Sequence, residues 1–161
     1  MSCAIIAELT AWAKDQDKTL FDVLLDIWIR FGLYHDGLIS ITKKGKAGAQ
    51  EIQQIMKTLR NTPPIFLNDI LVTDIIDYSN LTHLQTKTKI ILPLDSHKSN
   101  VLQFITEDGS RISIRPSGTE PKIKIYFSVY SSLKSKSELK EKKDQLDTLI
   151  SKLSKSLLKH F

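Results

Sequence analysis

The sequence predicts an α+β fold, in which an antiparallel sheet of about four strands is backed by two helices and preceded by two more helices. Two observations support this class. Apolar and polar residues alternate, as expected for half-buried strands, in residues 111–115 and 122–130, and two further strands are expected at residues 70–78 and 101–107. Apolar residues recur at helical spacing in residues 2–13, 20–31, 47–60 and in the segment after Ser135. The helices that start near Ala47 and Ser135 are therefore expected to cover one face of the sheet.

The first two helices carry large apolar side chains. In residues 2–13 these lie on or near one face, and they are Ile5, Ile6, Leu9 and Trp12. Thr19 is expected to cap the second helix, with Asp22 completing a capping box, and Gly32 is expected to end it. If both helices belong to a preceding domain, some of Trp12, Trp28 and Phe31 lack the neighbours that they would have in that complete domain. That loss predicts an exposed apolar patch or self-association.

The middle of the chain is expected to connect units of structure. Residues 33–42 are expected to cross between domains with a short strand at 38–41. Residues 43–46 are basic but lack the pattern of a nucleotide-binding P-loop, so they are interpreted as a solvated linker. Pro63 and Pro64 end the helix that follows. Residues 79–99 are polar and threonine-rich, which predicts a loop that contains His83 and His97.

The titratable residues of this middle part of the chain offer no catalytic constellation. Asp74 and Asp77 are both expected to point outward, on opposite faces of one strand, which makes them a poor acid and base pair. Neither histidine of the 79–99 loop has a second ligand at metal-binding spacing. No catalytic residue and no metal ligand is therefore assigned in this chain.

Two further local signals concern turns and caps. Asp108 and Gly109 stand between two strand-like runs, which is a strong signal for a β-hairpin. Ser135, with Glu138 three residues later, predicts a capping box for the last helix.

The composition is that of a small globular domain. Of 161 residues, 41% are hydrophobic, which is enough for a real core. The sequence has no run of about eighteen apolar residues and no secretion signal, so a cytoplasmic protein without membrane contact is expected. Cys3 is the single cysteine, which excludes an internal disulfide and favours a small apolar role over a nucleophilic one.

The positive charge of the chain does not point to nucleic acid. The formal net charge is +5, and residues 131–161 contain eight lysines against four acidic residues. These lysines alternate with leucines at helical spacing, so they are expected to form the polar face of an amphipathic helix. Interleaved aromatic residues, on which single-stranded bases stack, are absent from this segment. Nucleic-acid binding is therefore not expected.

The most informative stretch joins the last two predicted strands, and it reads Arg115-Pro116-Ser117-Gly118-Thr119-Glu120-Pro121-Lys122. Ser117 and Thr119 offer hydroxyl groups and amide hydrogens on either side of Gly118, which can adopt backbone angles closed to other residues. The guanidinium of Arg115 matches two oxygens of a phosphate or carboxylate. Such a loop forms a concave set of donors, and the expected guest is a phosphate.

The neighbours of this loop bear on the same interpretation. Lys122 and Lys124 can add positive charge, and two prolines stiffen the loop, which lowers the entropy lost on binding an anion. The alternative is a plain hairpin connection, in which Ser, Gly and Thr form a turn and Arg115 makes a surface ion pair. The convergence of these residues within ten positions favours an anion site.

This loop, with the Ile123-Lys124-Ile125-Tyr126 run after it, resembles the phosphate-binding loop of the α-D-phosphohexomutases, in their phosphoglucomutase and phosphomannomutase branch. Residues 99–104 and 107–110 are also similar to the approach to that loop in this family. Upstream, residues 18–20 and the helix after them resemble the end of the third domain of the family, while residues 52–60 and the two prolines beyond resemble the start of the fourth. The resemblance covers most of the chain.

The resemblance implies a fold, a role and a set of site residues. The fourth domain of the family is a helix-backed sheet similar to the TATA-binding-protein fold, and fold likeness alone carries no DNA binding. The resemblance also implies that Arg115, Ser117, Gly118 and Thr119 hold the non-transferred phosphate of a hexose phosphate during intramolecular phosphoryl transfer. Lys124 is implied as a further contact. Residues 1–37 are then expected to be trailing helices of the third domain, and residues 38–161 the phosphate-binding domain.

Motifs of the other family domains are not found in this sequence. No stretch resembles the phosphoserine motif, the aspartate-rich loop that holds Mg²⁺, or the sugar-reading loop of these enzymes. The expectation is therefore an inactive part of a mutase, whose partners are a hexose phosphate and the missing domains. The identity of the sugar and the oligomeric state stay open, as does the choice between a truncated chain and a stand-alone one. The alternative function is a non-catalytic module that senses phosphosugars or docks onto a protein.

Overall fold

The computed structural model describes residues 2–161. The helices within them are α1 (Ser2–Lys14), α2 (Leu20–Phe31), α3 (Gly45–Asn61) and α4 (Leu139–Leu158), with a short 3-10 turn at Lys136–Glu138 before α4. The strands are β1 (Leu33–Thr42), β2 (Phe66–Leu67), β3 (Ile70–Asp77), β4 (Thr82–Gln85), β5 (Ile91–Pro93), β6 (Leu102–Thr106), β7 (Arg111–Pro116) and β8 (Lys122–Ser131).

One antiparallel sheet dominates the fold, as the α+β prediction requires. Its strand order is β1-β8-β7-β6-β3-β4-β5, and β2 adds a short pair to β3. The expectation of about four strands was too low, because residues 2–161 form eight. The four predicted strands are β3, β6, β7 and β8, which occupy the middle of the sheet, and the strands that were missed lie mostly toward its edges.

Helices α3 and α4 pack on one face of this sheet, as predicted. Alternate residues of β8 are fully buried, and with residues of β7 and both helices they form one core: Ile52, Leu59, Ile112, Ile114, Ile123, Ile125, Phe127, Leu153 and Leu157. Because side chains alternate along a strand, the residues between these point to the opposite face. We call that side the open face, and on β8 it carries Lys122, Lys124 and Tyr126.

The second helix begins and ends as its sequence predicts. Thr19 Oγ1 accepts a hydrogen bond from the backbone N–H of Asp22 at 3.2 Å, and the backbone N–H of Thr19 donates to Asp22 Oδ2 at 3.0 Å. Gly32 follows the last residue of α2 with a φ of +97°, in the left-handed region that favours glycine. The predicted capping box and helix end are both confirmed.

The apolar side of the first two helices is largely exposed. Trp12 and Phe31 expose 50% and 61% of their surface, as expected for residues without neighbours, whereas Trp28 is half-buried against the core. The other exposed apolar side chains here include Ile5, Ile6, Leu9, Phe21, Leu24 and Ile27. An exposed apolar patch is therefore present on α1 and α2, and self-association through it stays a prediction.

Residues 33–46 are more regular than the sequence indicated. The expected short strand at 38–41 is part of β1, which pairs along its whole length with β8. Its alternation is hidden in the sequence because two of its inward-facing residues, His35 and Gly37, are not apolar. Gly37 packs so closely against α4 that an added Cβ would come within 2.9 Å of Ile150. The interpretation of residues 43–46 as a linker was also wrong in part, because α3 begins at Gly45.

The loop predicted at residues 79–99 contains β4 and β5. These short strands extend the sheet beyond the area covered by α3 and α4, so their residues are not sorted into a buried and an exposed set. The sequence signal of alternation is therefore weak. His83 lies on β4 rather than in a loop, while His97 lies outside regular structure, as predicted.

A buried ion pair joins the end of α3 to the sheet. Asp77 exposes 7% of its surface, so the expectation that it points outward was wrong. Arg60 Nε donates to Asp77 Oδ2 at 3.0 Å, and the backbone N–H and hydroxyl of Ser79 donate to the other oxygen at 2.9 and 2.7 Å. Burial of the carboxylate is tolerated because these three donors replace the hydrogen bonds that water would make.

The expected capping box before the last helix is not formed. Ser135 Oγ bonds to Ser137 Oγ at 2.8 Å, and Glu138 Oε2 accepts from the backbone N–H of Lys134 at 3.2 Å. A 3-10 turn separates Ser135 from α4, which places the serine too far from the first turn of the α-helix to cap it.

Replacing Arg60 with methionine should destabilise the fold by about 2 to 3 kcal/mol, because the change leaves a buried carboxylate without its cation. Urea unfolding followed by circular dichroism would measure this loss. The matched control is Lys57→Met, an exposed residue one turn earlier on α3, which should change stability by less than about 0.5 kcal/mol. Equal effects of the two substitutions would contradict the assigned role of the ion pair.

The capping box predicts a pH dependence of stability. The hydrogen bond from the Thr19 side chain, then the one from its backbone, lowers the pKa of Asp22 below its ordinary value. A carboxyl group with a lowered folded pKa stabilises above its unfolded pKa of about 3.9, and this contribution is lost as the pH falls through the folded value. Asp22→Asn should therefore flatten the acid end of the stability curve, measured by urea unfolding from neutral pH to about pH 2.

The control for this experiment is Asp15→Asn. Asp15 precedes the same helix and makes no side-chain hydrogen bond or ion pair within residues 2–161, so its substitution should leave the shape of the curve unchanged. If the acid end flattened equally in both variants, the capping interaction would not be its cause.

Candidate phosphate-binding site

The loop between β7 and β8 is short and is held at its base by backbone hydrogen bonds. The backbone N–H of Ser117 donates to Lys122 O at 2.7 Å, and that of Lys122 donates to Glu120 O at 2.8 Å. A third bond ties the loop to the end of β1, because Lys43 N–H donates to Pro121 O at 2.8 Å. The loop therefore projects from two paired strands and is held by a third, which limits its conformational freedom.

The tip of this loop presents unpaired donors. Within residues 2–161, the amide N–H groups of Gly118 and Glu120 have no hydrogen-bond partner, and that of Thr119 has only a 3.5 Å contact with Ser117 Oγ. Hydroxyl groups of Ser117 and Thr119 stand beside them. Consecutive free N–H groups and hydroxyls are the donors that a phosphate oxygen needs.

Gly118 does not adopt the unusual backbone angles that its residue type allows. The glycines with φ in the left-handed region, among residues 2–161, are Gly32, Gly45 and Gly109. A Cβ added to Gly118 would meet no atom within 4 Å, so neither the backbone nor packing requires glycine here. The absent side chain leaves open space directly at the row of free N–H groups.

Two cations lie side by side next to the loop. Arg115 and Lys124 are directly opposite each other in the register of β7 and β8, and both project from the open face. Neither side chain forms an ion pair or a hydrogen bond within residues 2–161, so the surface ion pair of the turn interpretation is not observed for Arg115. Their positive charges are therefore available to a ligand.

Lys122, by contrast, is already paired. Its Nζ donates to Glu120 Oε2 at 2.9 Å. This hydrogen bond, followed by the charges of Lys122 and Lys124, lowers the pKa of Glu120 below its ordinary value. Glu120 is therefore ionised at neutral pH, and its charge opposes an anion at the loop.

The predicted site residues form two groups that share the loop. Arg115 and Lys124 lie on the open face, whereas Ser117, Gly118 and Thr119 line a concavity of about 360 Å³ that faces α3. Its other lining residues are Ala49, Ile52, Gln53, Asn100, Pro116, Glu120 and Pro121. Arg115 and Lys124 are not part of this lining.

Asn100 and Gln53 were not identified from the sequence. Asn100 lies two residues before β6, and β6 pairs with β7 so that Leu102 is opposite Ile114. Continuing this register places Asn100 beside Pro116, so the hairpin pattern could have predicted that Asn100 lies next to the loop. Gln53 comes from α3, which reaches the loop only through tertiary packing, and no local pattern could place it there.

A second titratable pair lies elsewhere on the open face. His83 Nε2 is 2.7 Å from Asp74 Oδ1, on strands β4 and β3. Burial raises the pKa of Asp74, but hydrogen bonds from His83 and Thr73 outweigh it and lower the pKa overall. Neither residue lines the concavity beside the loop.

Two kinds of feature are absent from residues 2–161. In residues 2–161 no group of three or more His, Cys, Asp or Glu side chains is arranged to hold a metal ion. Among the helices of the same residues, none combines the length and apolar character that a membrane crossing requires.

The loop and fold match known proteins. A family described as "Phosphoglucomutase/phosphomannomutase, C-terminal domain" matches residues 40–146, more than half of the chain. A phosphoglucomutase of Staphylococcus aureus strain MRSA252 is 37% identical over 125 residues, which cover 78% of this chain and 22% of that relative. The phosphoglucomutase of strain N315 is 38% identical over 127 residues, with the same coverage of both chains.

A solved structure supports the fold. It is described as pp63/parafusin, an exocytosis-sensitive phosphoprotein and phosphoglucomutase from Paramecium, in an open form, and it matches with a TM-score of 0.51. At 19% identity the match covers 88% of this chain and 23% of that one. The chain thus spans about a fifth of the length of these relatives, each of which extends well beyond the matched part. With its family match over the sheet and the loop, the chain belongs to the phosphoglucomutase/phosphomannomutase family and carries its C-terminal domain.

Proposed function

We propose that this chain is the phosphate-binding domain of a phosphohexomutase, and that it holds the non-transferred phosphate of a hexose phosphate. The proposed contacts are Arg115, Ser117, Gly118, Thr119 and Lys124. The observation that carries the proposal is the pair of Arg115 and Lys124, two adjacent cations without an ion-pair partner in residues 2–161. Like charges directly opposite each other in a sheet are unfavourable, and a bound dianion would remove that cost.

The loop supplies the complementary donors. Its free N–H groups and two hydroxyls can surround phosphate oxygens, while the guanidinium of Arg115 can bind two oxygens at once. The three backbone bonds at its base keep the donors in place before the ligand arrives, so little entropy is lost on binding.

A remote phosphate site contributes to catalysis by orientation. Phosphate held here would position the sugar for transfer of a second phosphate at its other end, and binding energy far from the reacting atoms can be used in this way. We propose that the phosphoserine that exchanges the transferred phosphate belongs to preceding domains. The described residues do not fit a Mg²⁺ site, because they bring no three candidate ligands together.

The proposed organisation follows from this division of roles. Residues 1–37 are proposed to carry the trailing helices of the preceding domain, although residues 33–37 also begin strand β1, and residues 38–161 are proposed to be the phosphate-binding domain. The partners are then a hexose phosphate and the other domains of the same enzyme, in the cytoplasm. The exposed apolar surface of α1 and α2 is consistent with contact to such a domain. The chain alone is expected to have no mutase activity.

Replacing Arg115 with alanine should weaken binding of glucose 6-phosphate by about tenfold to a hundredfold, the equivalent of about 1.5 to 3 kcal/mol for a charged hydrogen bond. Titration of the isotope-labelled chain, followed by the backbone amide signals of residues 115–124, would measure the affinity. The matched control is Arg111→Ala, an exposed arginine on the same strand and the same face. The assignment would be wrong if both variants bound as tightly as the unsubstituted chain, or lost affinity equally.

Replacing Glu120 with glutamine should have the opposite effect. The change removes a negative charge beside the loop and frees Lys122, so affinity for inorganic phosphate should rise about twofold to fivefold at low salt and less at high salt. Isothermal titration at two salt concentrations would measure it. Glu107→Gln is the control, since Glu107 forms a similar pair with Lys87 in another part of the sheet. A rise of equal size in the control would mean that only net charge matters.

A further inference from the structure

The concavity beside the loop is larger than a phosphate needs. Its volume of about 360 Å³ lies at the lower end of the range for small-molecule sites. One wall is the loop that contains Ser117 and Thr119, and residues of α3 together with Asn100 complete the lining. A sugar attached to a phosphate at the loop could lie in this space.

The backbone of Asn100 is fixed from both sides. Ser99 N–H donates to Tyr78 O at 3.1 Å, and Tyr78 N–H donates to Val101 O at 3.0 Å. A further bond from Val101 N–H to Ser99 O, 2.9 Å long, closes a tight turn around Asn100. The position of its Cα is therefore set by β3 and by the start of β6.

The side chain of Asn100 is also oriented. Arg60 Nη2 donates to Asn100 Oδ1 at 2.8 Å. Because a guanidinium only donates, the amide oxygen must be the atom that faces Arg60, and the NH₂ group must point away from it. That NH₂ group has no hydrogen-bond acceptor within residues 2–161.

Arg60 is itself held in place. Its Nε is bonded to the buried carboxylate of Asp77, whose other oxygen accepts two hydrogen bonds from Ser79. The chain of contacts runs from Ser79 through Asp77 and Arg60 to Asn100. A buried charge is thus used to orient an exposed amide at the rim of the concavity.

Gln53 adds a second amide to the same wall. It is exposed on α3 and has no side-chain hydrogen bond within residues 2–161. Ala49 and Ile52 lie beside it in the lining and provide an apolar surface. Amides beside an apolar surface suit a sugar ring, whose hydroxyl groups both donate and accept and whose C–H groups are apolar.

We propose that Asn100 and Gln53 bind hydroxyl groups of the sugar part of a phosphosugar, and that Arg60 is a positioning residue for Asn100. This inference rests on the proposed function, because the phosphate at the loop delivers the sugar to the concavity. The two parts of the site then bind different parts of the ligand. Charged and hydroxyl groups at the loop bind the phosphate, while neutral amides, which do not favour an anion, bind the sugar.

The test compares two ligands, glucose 6-phosphate and inorganic phosphate, by titration of the labelled chain. Asn100→Ala and Gln53→Ala should each weaken binding of glucose 6-phosphate by about threefold to tenfold, the loss expected for one neutral hydrogen bond, and leave binding of inorganic phosphate unchanged. Gln54→Ala is the matched control, since Gln54 is the next residue on α3, does not line the concavity and should change neither affinity.

Arg60→Met tests the positioning role. At a temperature where the variant is folded by circular dichroism, it should lose affinity for glucose 6-phosphate and keep affinity for inorganic phosphate. A merely structural role would lower both affinities together or neither.

The outcomes separate this inference from the proposed function. Unchanged binding of glucose 6-phosphate by Asn100→Ala and Gln53→Ala, or equal losses for both ligands, would overturn the inference while the phosphate site stands. Failure of the unsubstituted chain to bind inorganic phosphate would overturn the proposed function and the inference with it.

Discussion

The register between β7 and β8 is the constraint on which the site depends. Ile123 and Ile125 are completely buried under the helices, so the residues between and beside them must project from the open face. A shift of one residue would bury Lys122 and Lys124 and expose both isoleucines. The apolar core therefore places Lys124 opposite Arg115 in spite of their repulsion. Two like charges are held together by packing, and this makes the arrangement favourable for an anion.

The loop joins two environments of different chemistry. On one side it meets the cations of the open face, and on the other it meets the neutral wall of α3 and Asn100. A ligand with one charged end and one neutral end fits such a surface better than a simple anion does. The buried pair of Arg60 and Asp77 serves both stability and the site, because the same guanidinium anchors α3 to the sheet and orients Asn100.

The sequence predicted the centre of the fold better than its edges. Strands β7 and β8 alternate clearly because one face is buried, and the capping box at Thr19 is a local interaction, so both could be recognised. Strands β4 and β5 lack that signal because no helix covers them. The loop residues follow from a contiguous motif, whereas Gln53 and the burial of Asp77 depend on tertiary contacts between distant segments. Neither could be obtained from periodicity or spacing.

The bond from Lys43 N–H to Pro121 O has a kinetic consequence. Lys43 stands two residues before the start of α3, so this bond connects the loop with the helix that forms the opposite wall of the concavity. The amide hydrogen of Lys43 can exchange with solvent only when the loop and the helix start separate. Its exchange rate therefore reports how often the two walls part, and a ligand that bridges them would slow that exchange without touching Lys43 itself.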